Sequence, residues 1–300
     1  MNKTFIITGG NSGLGYQCAK NIALQSNENV LIIASRNHEK SASAVQQLIV
    51  ETGNSNIHAM ALDLSSLQSV RDFAKEFSEQ NFPVLCGIVC NAISGGDATK
   101  DGFDMTFGTG HLGHFLLVNL LLKNMKSGRI IFVSSDQHNP PPFIAKLHYS
   151  DALEFAFPNR KNHNVMYSFT KLCNIYCAYE LSEKLKTKTD KKIMVNAFNP
   201  GFMADTGLAK PKNTVEKMLK NIAPLIAGLL GTRSSAKVSG KLLAEYMLNA
   251  KYEGINGKYF DRNKEAPSSE LSYNKANAVN LWKRSIELTQ MQQDETIFEI

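Results

Sequence analysis

The chain has 300 residues, of which 43% are hydrophobic and 20% are charged, and these proportions are ordinary for a soluble globular protein. Its formal net charge of +6 is spread thinly, without the dense basic runs interleaved with aromatics that nucleic-acid-binding proteins carry, so we expect no nucleic-acid partner. Five cysteines, an odd number with no CxxC pair and no clustered histidine, argue against a disulfide framework and a metal centre and for a reducing compartment.

The N-terminal stretch predicts a phosphate-binding turn. Phe5 to Ile7 form a short, continuously apolar segment that is typical of a strand buried in a parallel sheet. Gly9, Gly13 and Gly15 follow, and an apolar-periodic helix comes next. Unpaired N–H groups and the positive end of the helix dipole attract an anion, and glycines let a pyrophosphate approach the backbone. Glycines alone are also common in structural loops, but the flanking strand and helix favour a nucleotide site.

The second predicted strand, Val30–Ala34, ends in Ser35 and Arg36. In a dinucleotide-binding fold the end of this strand meets the adenosine ribose, where an acid binds the 2′-hydroxyl of NAD and an arginine accommodates the 2′-phosphate of NADP. Arg36 stands about where the acid would be, so we predict NADP(H). A plain surface charge before the next helix is the alternative.

The rest of the chain alternates regularly between strands and helices. The further predicted strands are 57–62, 84–90, 129–134, 193–198 and 258–260. The predicted helices are 38–51, 102–126, 234–248 and 269–290, together with one helix through 70–77 and one that carries Tyr167 and Lys171. This alternation predicts a single α/β domain, a doubly wound parallel sheet with helices on both faces. A long proline- and aromatic-rich segment at about 136–163 is predicted to be a substrate flap, and an amphipathic segment at about 203–231 a lid.

The position of the first strand and the length of the apolar stretches indicate where in the cell the protein is expected. The first predicted strand begins at residue 4, which leaves no room before it for a signal peptide. The longest strongly apolar stretches, 115–122 and 222–231, are too short to cross a bilayer. We therefore predict a cytoplasmic protein without a membrane span.

Polar residues follow the predicted strands at their carboxyl ends, where ligands bind in open α/β sheets. Asp63 follows the third strand and can reach the adenine edge, with a turn or capping residue as the alternative. Asn91 follows the fourth strand, Ser135 the fifth and Pro200-Gly201 the sixth.

Tyr167 and Lys171 are four residues apart on a predicted helix, so their side chains share one face. An ammonium near a phenol favours the phenolate and lowers the pKa of the tyrosine, as does a cationic nicotinamide ring, which makes Tyr167 a usable general acid or base. A Ser135 hydroxyl can hold a carbonyl oxygen while hydride arrives at the carbon. Such Tyr/Lys pairs are common on helix surfaces. The prediction of an active site therefore depends on the pair together with the glycine turn and the polar residues at the strand ends.

This ordered set resembles the short-chain dehydrogenase/reductases. The family's TGxxxGxG turn matches residues 8–15, and its YxxxK motif matches Tyr167 to Lys171. The stretches HLGHFLLVNLLL, YSFTKLCN and PGFMADT, and the tail from 269 to 288, look like the branch that contains retinol dehydrogenases and protochlorophyllide oxidoreductase. Together with the strand-end residues, the cofactor contacts are then expected at Thr8, Gly9, Asn11, Ser12, Gly13, Leu14, Gly15, Ser35, Arg36, Asp63, Leu64, Asn91, Ala92, Tyr167, Lys171, Pro200, Gly201 and Thr206.

The resemblance implies a Rossmann fold and a carbonyl reductase type of activity, in which hydride passes between NADP(H) and a carbonyl or alcohol of a hydrophobic small molecule. Tyr167 would be the acid, Lys171 would bind the nicotinamide ribose and lower the tyrosine pKa, and Ser135 would orient the carbonyl. Thr206 would bind the nicotinamide amide. Reduction of an activated C=C bond is a variant of this interpretation, and a homodimer or homotetramer is expected by analogy alone.

Two stretches depart from the family pattern. The family's NNAG reads Cys90-Asn91-Ala92-Ile93, and Gly110 stands where relatives have the asparagine that holds a water linking the lysine to bulk solvent. His114, one turn further on, can contact a substituting water, although we prefer a packed helix histidine.

We therefore expect proton supply to be slower, or rerouted through water in the space left by the missing amide, and Gly110→Asn to raise turnover. The competing hypothesis is an NADP(H)-binding sensor or partner-binding protein with little activity. The presence of Tyr167, Lys171 and Ser135 favours the enzyme.

Overall fold

A mostly parallel sheet forms the centre of the computed structural model, which describes residues 2–141, 146–159, 162, 165–203 and 233–300. The strands are β1 Thr4–Thr8, β2 Val30–Ser35, β3 Ile57–Ala61, β4 Leu85–Cys90, β5 Ser127–Val133, β6 Lys192–Asn199, β7 Phe202–Met203, β8 Arg233–Ser234, β9 Tyr259–Asp261 and β10 Lys264–Glu265. Eight of them form one sheet in the order β10-β9-β6-β5-β4-β1-β2-β3, and β7 pairs with β8. Only β10 runs antiparallel within the large sheet. The predicted doubly wound Rossmann fold is confirmed.

Helices cover both faces of this sheet. They are α1 Gly13–Ala23, α2 His38–Thr52, α3 Leu67–Glu79, α4 Met105–Asn124, α5 Leu153–Ala156, α6 Met166–Lys188, α7 Ala236–Leu248 and α8 Lys275–Thr289. Helices α1, α2 and α7 pack on one face, and α3, α4, α6 and α8 pack on the other. The crossovers between parallel strands therefore bring the carboxyl ends of β1 to β6 to one edge.

Alternating side chains of the central strands supply two separate cores. Ile6 and Ile32 point into the core beneath α3, α4 and α6, whereas Ile7 and Ile33 point into the core beneath α1 and α2. All four side chains are fully buried. Burying each contributes about 1.5–3 kcal/mol, and burial on both faces explains why these strands read as continuous apolar runs.

Helix α4 contains a π-helical turn at Gly108–Leu112. The helix begins at residue 105, later than predicted, because the Asp104 carboxylate accepts hydrogen bonds from the backbone N–H groups of Thr106 (2.8 Å) and Phe107 (3.0 Å). Within the described part of the chain, α4 is the one helix long and apolar enough to span a membrane, and most of it is buried in the core. A cytoplasmic location stays a prediction.

The described part of the proline- and aromatic-rich segment is attached to the body of the protein. Tyr149 and Phe155 are buried and stack on Phe169 of α6, with ring centroids 5.8 Å and 3.7 Å away. Asp151 forms an ion pair of 2.9 Å with Arg284 of α8. The flap stays a prediction, and the lid predicted at 203–231 lies, apart from its first residue, outside the described residues.

Candidate active site

The glycine turn between β1 and α1 is shaped by backbone conformation and by close packing. Gly9 and Gly13 have φ angles of +64° and +55°, which side chains disfavour. A Cβ at Gly15 would lie 2.6 Å from the Gly9 carbonyl oxygen, so the helix can approach the turn only without one. Among the described residues, Ser12 at the N-cap makes no side-chain hydrogen bond to the first turn of α1, whose N–H groups are therefore donors for an anion.

Thr8 and Asn91 join the ends of β1 and β4 beneath this turn. The buried Thr8 hydroxyl oxygen accepts from the backbone N–H groups of Asn91 (2.9 Å) and Ala92 (3.0 Å), and the Asn91 amide donates to the Thr8 carbonyl (2.8 Å). His114 Nε2 lies 2.9 Å from the same hydroxyl. Burial lowers the pKa of His114 to about 4, so this histidine is a neutral packed residue, as we preferred.

A cleft of about 720 Å³ opens above the glycine turn, at the carboxyl ends of the strands. Most of the predicted cofactor residues line it, namely Gly9, Asn11, Ser12, Gly13, Leu14, Ser35, Arg36, Asp63, Leu64, Asn91, Ala92, Tyr167, Lys171 and Pro200. Three others, Thr8, Gly15 and Gly201, are not part of the lining, and Thr206 lies outside the described residues. The predicted catalytic residue Ser135 is not part of the lining either. The topology therefore gathers distant segments around one space large enough for a ligand.

The end of the cleft at β2 carries two positive charges. Arg36 and Lys40 are both exposed and both line the cleft at the start of α2. The Asn37 side chain caps this helix by accepting from the Lys40 backbone N–H (2.8 Å). The sequence interpretation missed Lys40, although its position in the first turn of the helix after Arg36 was a usable signal.

Asp63 has the turn-closing role that the sequence analysis gave as the alternative, and it also lines the cleft. Its carboxylate accepts from the Ser65 backbone N–H (3.0 Å) and hydroxyl (2.6 Å), and it forms an ion pair with Lys100 (3.0 Å). These bonds lower the pKa of the Asp63 carboxyl against the opposing effect of burial. Asp63 therefore closes a turn while one side of it faces the cleft.

Tyr167 and Lys171 lie close together in the lining of the cleft. Lys171 is buried, its ammonium donates to the Val133 carbonyl (2.9 Å), and it lies 5.4 Å from the centre of the Tyr167 ring. Burial lowers the pKa of Lys171 to about 8. Tyr167 keeps part of its surface open, but its dense surroundings raise its pKa to about 12, with Asp136 adding to the rise and the Ser135 side chain opposing it. In the protein alone the Tyr167 pKa is thus raised and not lowered as predicted, because the effect of burial exceeds that of the Ser135 hydrogen bond.

Two adjacent serines at the end of β5 have different roles. The Ser134 hydroxyl donates to the Lys171 backbone carbonyl (2.8 Å), so it is used in attaching α6 to the sheet. The Ser135 hydroxyl lies beside Tyr167 and within 3.0 Å of the Asp136 carboxylate. His138 fixes this loop, since its Nδ1 lies 2.6 Å from the Ser135 carbonyl and its Nε2 accepts from the Ser269 backbone N–H (2.9 Å).

The surroundings of Gly110 correct one expectation. A Cβ on Gly110 would lie 2.7 Å from Thr170 Cγ2 and 2.9 Å from Ile93 Cδ1. The volume in which we expected a substituting water is therefore filled by apolar groups. Ile93 belongs to the other stretch that departs from the family pattern, so its side chain occupies space beside Gly110 that an amide would need.

The strand order, the glycine turn and the Tyr/Lys pair in one cleft define an oxidoreductase of the Rossmann type. Residues 3–151 match the family model described as short chain dehydrogenase, and the chain belongs to this family. It is 33% identical to a WW domain-containing oxidoreductase of Gallus gallus over 97% of this chain and 69% of that protein. It is 32% identical to a polyprenol dehydrogenase of Danio rerio over 95% of this chain and 86% of that protein. Among solved structures, a 3-ketoacyl-ACP reductase from Sinorhizobium meliloti shares the fold, with a TM-score of 0.63 and 18% identity over 85% and 95% of the two chains.

Proposed function

We propose that this protein is an NADP(H)-dependent oxidoreductase that interconverts a carbonyl and an alcohol on a hydrophobic small molecule. The observation that carries the proposal is that Tyr167 and Lys171 line the same cleft as the glycine turn. The phenol can exchange a proton, and the turn can bind a phosphate. A dinucleotide explains both features at once, because its phosphates would bind at the turn while its nicotinamide reacts beside the phenol.

The residues present fit the dinucleotide. Gly15 allows the close approach that a Cβ would prevent, and the first turn of α1 offers N–H donors for a pyrophosphate. Arg36 and Lys40 supply positive charge where the 2′-phosphate would lie, and the Lys171 ammonium would bind the nicotinamide ribose. When bound, the cofactor supplies or accepts the hydride.

The protein's own groups handle the oxygen and the proton. Tyr167, protonated because of its raised pKa, donates its proton to the carbonyl oxygen during reduction. The Ser135 hydroxyl beside it donates a hydrogen bond to the same oxygen and stabilises the developing negative charge. Lys171 returns a proton to the phenolate.

Apolar side chains in the lining of the cleft favour a hydrophobic substrate. Ile93, Met105 and Met203 line the same cleft as Tyr167. The relative from Danio rerio is, by its name, a dehydrogenase of a polyprenol, which is an apolar alcohol. A long apolar aldehyde, ketone or alcohol is therefore the first substrate class to test.

The test combines cofactor binding and turnover. NADPH and NADH are titrated by fluorescence, and apolar aldehydes, ketones and enones are then screened for NADPH oxidation. Tight NADPH binding with turnover of carbonyls supports the proposal, whereas turnover of enones alone supports the C=C reductase. Binding without turnover of any compound supports a sensor or partner-binding protein, which the filled space at Gly110 favours as the second candidate.

We expect Arg36→Ala and Lys40→Ala each to weaken NADPH binding about tenfold, since each removes a charge-assisted contact with the 2′-phosphate. NADH binding should stay unchanged, because NADH lacks this phosphate. Dissociation constants for both cofactors check the prediction. Lys75→Ala, an exposed lysine of α3 away from the cleft, is the matched control. Unchanged NADPH preference in the Arg36→Ala/Lys40→Ala double variant would refute the assignment.

The pH dependence should differ between the two directions. The pKa of Lys171 is lowered to about 8, so its ammonium is present below that pH and is lost above it. We expect the reduction rate to be constant below pH about 8 and to fall above it, because the proton donor to Tyr167 disappears, while alcohol oxidation rises with pH. Profiles of kcat in both directions check this. A reduction rate that stays flat up to the ordinary titration range of lysine would contradict it.

A further inference from the structure

His138 is a buried histidine in the loop that follows β5, three residues after the predicted catalytic serine. Its backbone N–H donates to the Ser135 carbonyl (3.1 Å), and its ring nitrogen Nδ1 lies 2.6 Å from the same oxygen. On the other side of the ring, Nε2 accepts from the Ser269 backbone N–H (2.9 Å). His138 is not among the described residues that line the cleft, so it acts on the site through the residues that it contacts.

These contacts determine which ring nitrogen of His138 carries the proton. A backbone N–H can only donate, so Nε2 is the unprotonated nitrogen that accepts from Ser269. The proton of the neutral imidazole is therefore on Nδ1, which donates it to the Ser135 carbonyl. The other tautomer would place two donors against each other at Ser269 and two acceptors at Ser135. One tautomer alone satisfies both ends of the ring.

Parts of the chain far from the loop hold this ring in place. Ser269 lies 131 residues after His138, and it is itself buried. Tyr259 of β9 packs against the ring, with centroids 5.0 Å apart. Burial lowers the pKa of His138 against the opposing effects of the Ser135 carbonyl and of Asp136, so the ring is neutral at physiological pH. The Nδ1–H donor is therefore present under the conditions in which the protein works.

The two bonds from His138 restrict the backbone of Ser135, and its side chain follows. Ser135 has an extended backbone, and its hydroxyl oxygen accepts from the Gln137 backbone N–H (3.2 Å) at the start of the 3₁₀ turn. Rotation of the peptide after Ser135 would turn its carbonyl away from both donors of His138. The hydroxyl is thereby kept beside Tyr167, which lines the cleft.

We propose that His138 is a positioning residue for the reaction, because its Nδ1–H, fixed by Ser269, holds the Ser135 carbonyl and so keeps the serine hydroxyl directed at the substrate oxygen. The inference rests on the proposed reductase function. His138 exchanges no proton with the substrate. It keeps the hydrogen-bond donor of Ser135 in place beside the proton donor, Tyr167, while negative charge develops on the oxygen.

Two substitutions separate the two ends of the ring, because an Asn amide reaches the place of Nδ1 and a Gln amide the place of Nε2. His138→Asn keeps a donor for the Ser135 carbonyl and should retain most of the kcat for reduction. His138→Gln keeps an acceptor for the Ser269 N–H and loses that donor, so it should lower kcat about tenfold with KM for NADPH unchanged. Each variant leaves one buried polar group unpaired, so both should lose stability. A merely structural histidine would give the same kcat in both variants.

A second comparison tests whether His138 acts through the serine hydroxyl. In a Ser135→Ala background, which lacks the hydroxyl, His138→Gln should lower kcat no further. His58→Gln is the control, since it changes an exposed histidine of β3 that packs on Phe82 and is not part of the cleft lining. It should leave kcat at the wild-type value. Equal losses from His138→Gln with and without the Ser135 hydroxyl would contradict the inference.

NMR spectroscopy of the protein with isotope-labelled histidine gives a readout that does not depend on activity. We expect His138 to carry its proton on Nδ1 at neutral pH, and the Ser269 amide to be protected from hydrogen exchange. A proton on Nε2, or a folded His138→Gln enzyme with wild-type kcat, would overturn the inference. If no carbonyl is reduced by the wild type, the proposed function fails, whereas the spectrum still decides whether the Nδ1–H tautomer holds the Ser135 carbonyl.

Discussion

Tyr167→Phe is expected to lower kcat for carbonyl reduction at least about a hundredfold, because it removes the proton donor. The substitution keeps the ring, so packing around Lys171, 5.4 Å from the ring centre, should be preserved. NADPH binding should change little, since the glycine turn and Arg36 are untouched. Stopped-flow measurement of NADPH oxidation, together with a fluorescence titration of binding, separates the two quantities.

The control for this variant comes from the same helix. Tyr176→Phe also deletes a phenolic hydroxyl, which donates to the Leu271 carbonyl (2.7 Å) and does not face the cleft. It should reduce stability and leave kcat near that of the wild type. Reduction that survives in Tyr167→Phe at the wild-type rate would mean that another group supplies the proton, and the catalytic assignment would be abandoned.

Gly110→Asn is expected to destabilise the protein by about 1–3 kcal/mol, the usual cost of overpacking a core. The new Cβ would lie 2.7 Å from Thr170 Cγ2 and 2.9 Å from Ile93 Cδ1, so neighbouring side chains must move. Ile93→Gly alone should also destabilise, because it leaves a cavity. The Ile93→Gly/Gly110→Asn double variant should recover part of the lost free energy of unfolding, since the amide then fills that cavity while the contact with Thr170 remains.

Urea denaturation of the four proteins in this cycle measures the coupling. The double variant removes the Ile93 contact and keeps the one with Thr170, so a gain in turnover is expected there before it is in Gly110→Asn alone, which revises the expectation drawn from the sequence. Gly95→Asn is the stability control, because a Cβ at Gly95 meets no atom within 4 Å. Additive free energies in the cycle would show that Ile93 and Gly110 do not share the space.

The sheet and the glycine turn could be predicted because their signals are local. Continuously apolar runs such as 5–7 and 30–34 have few alternatives to buried strands, and the regular alternation with helices determines the topology. Since that topology brings strand ends to one edge, most of the cofactor residues could be placed in one cleft without knowing any distance. The ends of the helices were less predictable. The stretch 269–290, predicted as one helix, contains a 3₁₀ turn, Glu270–Tyr273, and then α8, whose N-terminus Asn274 caps.

Other properties of the site depend on contacts that no local pattern reveals. Ile93 lies in the loop after β4, and Gly110 lies in α4. Only the packing of this loop against the helix shows that the Ile93 side chain occupies the space beside Gly110. The raised pKa of Tyr167 likewise follows from burial by surrounding elements, whereas the motif suggested the opposite shift.

The hydrogen bond from the Ser269 N–H to His138 Nε2 connects the loop that follows β5 to the segment that precedes α8. The family model ends at residue 151, before Tyr167, and the segment that supports the serine loop lies later still. A chain cut before Ser269 would lose the backbone N–H that His138 accepts, and with it the buried face of α8. Cleavage at that point is therefore expected to loosen the Ser135 loop and the packing of the core together.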